Sequence, residues 1–225
     1  MTHLAMSSIR VMATCALLGE AVGKAAFLAS SNGISPHDVY LEHLADLQRL
    51  LMNEDCFLPS KMREISAVCQ NASLTPAAEF LRNGQDRTHV RYGTEDEGII
   101  PKVPQGQEIV YTFAPATVKS VHAVFSSDLN RDTLPGGKCE RTHSTRANRT
   151  LNSPQMHMPT TLCKEFSIWG EYEGKKIPLL EVKENRKRAY HLPVGQVMDK
   201  LILRPLSTWG DFEEIPVLSF DFDAE

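Results

Sequence analysis

Residues 7–31 constrain this chain more than any other stretch, because they read as one helix that is apolar almost all round. Only Arg10, Thr14, Glu20 and Lys24 interrupt it strongly. A helix with no polar face has no side to leave in water, so it is expected to be buried. A membrane span needs about 20 predominantly apolar residues, and Glu20 and Lys24 break the run after Val11 to Leu18, so a transmembrane anchor is not expected. A secretory signal competes with this reading. Arg10 would be its basic start, Val11 to Leu18 its short apolar region and Ala21-Val22-Gly23 its small-residue cleavage site. The apolar pattern resumes past that site at Ala25, Ala26, Phe27, Leu28 and Ala29, in phase with the earlier stripe, which favours a core helix. Gly19 and Gly23 are spaced to let another backbone come close, and Cys15, with no second cysteine or base beside it, reads as a small buried hydrophobe.

A helix buried on every side needs neighbours, and the chain offers few. Ser35-Pro36 is a helix start, with Ser as N-cap and Pro at the first helical position. Tyr40, Leu44, Leu47 and Leu51 then recur at helical spacing, with Glu42, His43, Asp46 and Arg49 on the outside. That second helix covers one side of the first and nothing obvious covers the others. Residues 1–60 are therefore expected to be the tail of a domain whose sheet and ligand loops lie elsewhere, in a fragment or a split-gene product.

Periodicity changes after a transition at 61–107, which follows the breakers Pro59-Ser60 and contains others at Thr75-Pro76, Asn83-Gly84 and Pro101 to Pro104. Residues 108–114 alternate, placing Ile109, Tyr111 and Phe113 on one face, and further strands are expected at 117–126, 164–172, 176–183, 187–192, 199–206 and 214–223. Glu173-Gly174 reads as a hairpin turn. Short strands between turn signals, closing on Leu218, Phe220 and Phe222, predict an antiparallel sandwich of jelly-roll type over 108–225. The fold class is thus α+β, helices first. The insert from Leu134 to Leu162 has no apolar period and reads as a long loop. Cys139, His143, His157 and Cys163 have the residue types of a zinc site but not its spacing, so no metal is expected. The 225 residues carry 24 Lys and Arg against 28 Asp and Glu, a formal charge of -4, which disfavours a nucleic-acid partner. Five cysteines are an odd count, so at least one thiol is left over and a reducing, cytoplasmic setting fits best.

Residues 2–29, THLAMSSIRVMATCALLGEAVGKAAFLA, followed by GISPHDV and LQRLLMNEDCFLP, resemble the end of the flavin-binding domain of the FAD-dependent oxidoreductases. The positions that carry the resemblance are Thr2, His3, Arg10, Val11, Met12, Thr14, Cys15, Gly19, Ala21, Gly23, Ala25 and Ala26. The resemblance implies FAD as cofactor, with the helix after the Thr-His turn pointing its N-terminus at the flavin, and it places His3, Ser7, Arg10, Val11 and Met12 near that group. Simpler roles compete for each: Ser7 as a helix cap, Arg10 as the partner of a carboxylate. The chain departs from the family in lacking the strand and G-x-G-x-x-G turn that hold the pyrophosphate. A missing N-terminal FAD-binding region is the implied partner, and the chain alone is expected to be inactive. Substrate, electron acceptor and catalytic base are not legible.

The second half is similar to the galactose-binding-like jelly rolls attached to members of that family and to carbohydrate-active enzymes. FLRNGQDR at 80–87, VKSVHAVFSSDLNR at 118–131, VKENRKRAYHL at 182–192 and LILRPLSTWG at 201–210 carry this similarity. It implies a carbohydrate or other small molecule as a candidate ligand, with Trp169, Trp209 and Arg131 as loop candidates, though strand placement makes Trp169 a core residue. Arg186-Lys187-Arg188 reads as a solvated face. The alternative function is a free-standing carbohydrate- or protein-binding jelly-roll module.

Overall fold

The computed structural model describes residues 11–76, 78–87, 101–127, 133–134, 138–139 and 158–225. They form two compact units, Met1–Arg63 and Glu64–Glu225.

The first unit is helical: α1 (Met12–Asn32), α2 (Pro36–Glu42) and α3 (Leu44–Asn53). Gly33 ends α1 in the left-handed region at φ 65°, and the Ile34 amide donates to the Ala29 carbonyl. Ser35 and Asp38 then start α2 with a reciprocal capping box, Pro36 following the cap. The expected second helix breaks at His43, which adopts φ -123°. The break turns the face: Val39 is buried beside Leu28 and Ala29, with Leu47 and Leu50 against them, while Tyr40 and Leu44 face outward. The expectation that α1 is buried all round is corrected as well. Only Leu28 and Ala29 are buried, and Val11, Met12, Leu17, Leu18, Val22 and Phe27 are exposed. By length and composition alone α1 is long and apolar enough to cross a membrane. Its two charges pair with each other, Lys24 Nζ 3.9 Å from Glu20 Oε1.

The second unit is an antiparallel β-sandwich preceded by short elements. These are α4 (Ala67–Asn71), β1 (Ser73–Thr75) and a 3-10 turn (Glu79–Arg82), followed by β2 (Lys102–Pro104) and β3 (Ile109–Phe125). A separate two-stranded ladder joins β4 (Thr133–Leu134) to β5 (Lys138–Cys139). The sandwich then continues with β6 (Cys163–Tyr172), β7 (Lys175–Val182), β8 (Ala189–Thr208) and β9 (Glu214–Ala224). Four of the expected strands merge into two: 108–114 with 117–126 into β3, and 187–192 with 199–206 into β8. Each bends where its register slips, β3 between Thr112 and Ala116 around Pro115, and β8 at Gly195, whose φ of 66° suits a bulge. The bends divide one continuous set of pairings into two layers. One layer runs β7, β6, the end of β8, the start of β3 and β1; the other runs the start of β8, the end of β3, β9 and β2.

Rings close the space between the layers. Tyr111 of the first layer meets Phe220 and Phe222 of the second at 5.6 and 5.3 Å, and donates its hydroxyl to the Phe220 carbonyl at 2.7 Å. Phe113 stacks on Phe222 at 4.6 Å, and Phe166 lies between Phe125 and Tyr190. Glu173 and Gly174 both have positive φ, as a two-residue hairpin turn between β6 and β7 requires. Much of the stretch expected as a transition is built into this unit. Cys69, Leu74 and Leu81 are buried in its core, and Arg82 donates to the Cys69 and Ala72 carbonyls. The 134–162 insert lies mostly outside the described residues.

Candidate functional site

The flavin-facing position implied by the sequence is the start of α1. Val11 is the N-cap, extended at φ -76° and ψ 134°, and its side chain cannot accept a hydrogen bond from the first turn. No acidic residue sits in that turn either. The leading amides of a 21-residue helix therefore carry the positive end of its dipole with no side-chain acceptor supplied by the cap. Val11 and Met12 lie side by side here, 55% and 87% exposed. The helix begins at Met12, later than the expected start near Ser7. His3, Ser7 and Arg10 fall outside the described residues.

Further along α1 the expectations change. Cys15, on the first turn, is exposed rather than buried. Gly19 and Gly23 have open space where a side chain would begin, so no backbone makes the close approach their spacing permits among the described residues. Their amides lie mid-helix, already committed to the helical ladder.

In the sandwich, Trp169 is buried on β6 with the Lys176 ammonium 4.0 Å above its ring. Trp209 is half-buried and donates its indole N–H to the Asn185 carbonyl at 2.7 Å. Arg131 is outside the described residues. Arg186 and Lys187 are exposed as expected, but they sit in the loop before β8; Arg188 reaches the Asp86 carbonyl at 2.7 Å. Of the four loosely spaced zinc-type residues, only the Cys163 side chain is described. Burial pushes its thiol up to about 12, and its Sγ donates to the Glu165 carbonyl. No described group of three or more His, Cys, Asp or Glu is arranged to hold a metal.

One constellation escaped the sequence reading. On the outer face of the second layer, His122 of β3 pairs in register with His191 of β8 on one side and Asp221 of β9 on the other. His122 is 3% exposed, its Nε2 3.4 Å from Asp86 Oδ2. Ser219 donates to Asp221 at 2.8 Å and also approaches the Leu81 carbonyl. Together with Arg188 these groups fasten residues 79–87 across the sheet. His122 gave no signal beforehand, since it lies between Val121 and Ala123 in an apolar strand and its partners come from three distant segments.

Residues 1–51 match the family model for FAD dependent oxidoreductase. The N-terminal helices thus share their resemblance with a family of flavin enzymes, over 51 of 225 residues. No curated protein matches the chain. Among solved structures it is similar to GH31 CBM32-2 bound to GalNAc, at 12% identity over 69% of this chain and 98% of that one with a TM-score of 0.44. It is also similar to the family 32 carbohydrate-binding module from Streptococcus pneumoniae EndoD, at 11% identity over 71% and 100% with a TM-score of 0.43. A Streptococcus pneumoniae fucose binding module, SpX-3, aligns at 6% identity over 72% and 99% with a TM-score of 0.44. Likenesses that weak carry no argument about function.

The donor set at the start of α1 fits the cofactor that the family uses. First-turn amides that the cap residue Val11 supplies with no side-chain acceptor, next to exposed apolar residues, suit a flat ring system with an electron-rich edge.

Proposed function

We propose that residues 1–51 form one wall of the flavin site of an FAD-dependent oxidoreductase, and that residues 64–225 are an accessory β-sandwich of that enzyme. The family match over 1–51 carries this reading. The exposed apolar residues at 11–27 of α1 support it, because a helix with such a surface needs a protein core around it. FAD would supply the redox chemistry by accepting an electron pair from a substrate. This chain would orient the ring through the first-turn amides of α1, with Val11 and Met12 against it and His3, Ser7 and Arg10 nearby. Arg10 would add a full positive charge favouring the reduced, anionic ring. A separate FAD-binding region would supply the strand and glycine-rich turn for the pyrophosphate, since no G-x-G-x-x-G occurs in these 225 residues.

Two preparations test this. The chain expressed alone is expected to show no flavin absorption after purification. Expressed together with an FAD-binding region of the family supplied as a separate chain, it is expected to copurify with that region holding flavin near one equivalent. A stoichiometric flavin band from the chain alone would overturn the need for a second region. Failure of any flavin-bearing partner to copurify, combined with glycan binding by the chain alone, would favour the free-standing module.

A further inference from the structure

We draw no further inference here: the strongest candidate, the side-chain cluster of buried His122 and Asp221 with half-buried His191 and Asp86 on the outer face of the second β layer, is not arranged as a metal-binding group among the described residues, and nothing in the structure shows what ligand or partner would reach it.

Discussion

Asn185 is the polar residue on which the loop before β8 depends. It is 1% exposed, donates to the Cys163 carbonyl at 2.8 Å and accepts from the Lys187 amide at 2.7 Å and the Tyr190 hydroxyl at 2.8 Å. Its own carbonyl takes the Trp209 indole. Buried groups left unpaired cost about 1–3 kcal/mol each, so Asn185→Ala is expected to destabilise the sandwich by roughly 3 kcal/mol in denaturant unfolding. Asn185→Asp keeps both accepted bonds but sets a carboxylate oxygen against the Cys163 carbonyl. Its penalty should shrink at acid pH, where the carboxyl can donate. If either variant unfolds like one at exposed Lys183, the residue is not the hub its geometry indicates. A sequence reader sees only an asparagine in a charged run; apart from the Lys187 amide two residues on, its partners come from the folding of β6, β8 and the 209 turn.

At the scale of elements, α1 divides into two halves with different debts. Its C-terminal end packs Leu28 and Ala29 against α2 and α3, while residues 11–19 are almost wholly exposed. Leu28→Ala is therefore expected to cost the helical unit about 2–4 kcal/mol. The pair Leu17→Gln and Val22→Gln should change the melting of the chain alone by less than about 0.5 kcal/mol, followed by circular dichroism. The same pair should abolish copurification with a flavin-bearing partner, because it places polar groups in the surface proposed to enter that partner's core. Retained copurification would remove α1 from the interface. The strands teach a related lesson. Pro115 and Gly195 look like terminators, yet β3 and β8 run through them, because a long strand that bends at a bulge can serve two layers without losing its neighbours.

For the whole molecule, the division into units predicts where proteases cut. Residues 67–82 supply Cys69, Leu74, Leu81 and the Arg82 anchor to the sandwich, so limited proteolysis should release a stable fragment beginning between about residues 54 and 66. A stable fragment starting after residue 87 would show that this segment is dispensable. The sandwich should also lose stability at alkaline pH. Burial raises the Cys69 and Cys163 thiols from 9.0 to about 12 and raises the Tyr111 hydroxyl as well. Thiols in the unfolded chain ionise from about pH 9, so this stabilisation is intact below pH 9 and is lost as pH rises towards 12. The thermal midpoint is expected to fall across that window, and less steeply when both cysteines are alanine; an unchanged slope would contradict the assignment. The sequence by itself determined the helical start, the Ser35 cap, the Glu173-Gly174 hairpin and the alternating face at the start of β3, since each depends on neighbours within a few residues; on β9 a register slip puts Val217 rather than Leu218 in the core with Phe220 and Phe222. The sequence also carried the flavin-family resemblance of the first 51 residues. Only the tertiary structure decided the break at His43, the merging of four strands into two, the place of residues 64–87 in the sandwich and the His122 row. Those outcomes depend on which distant surfaces compete for burial, and local spacing does not encode that competition.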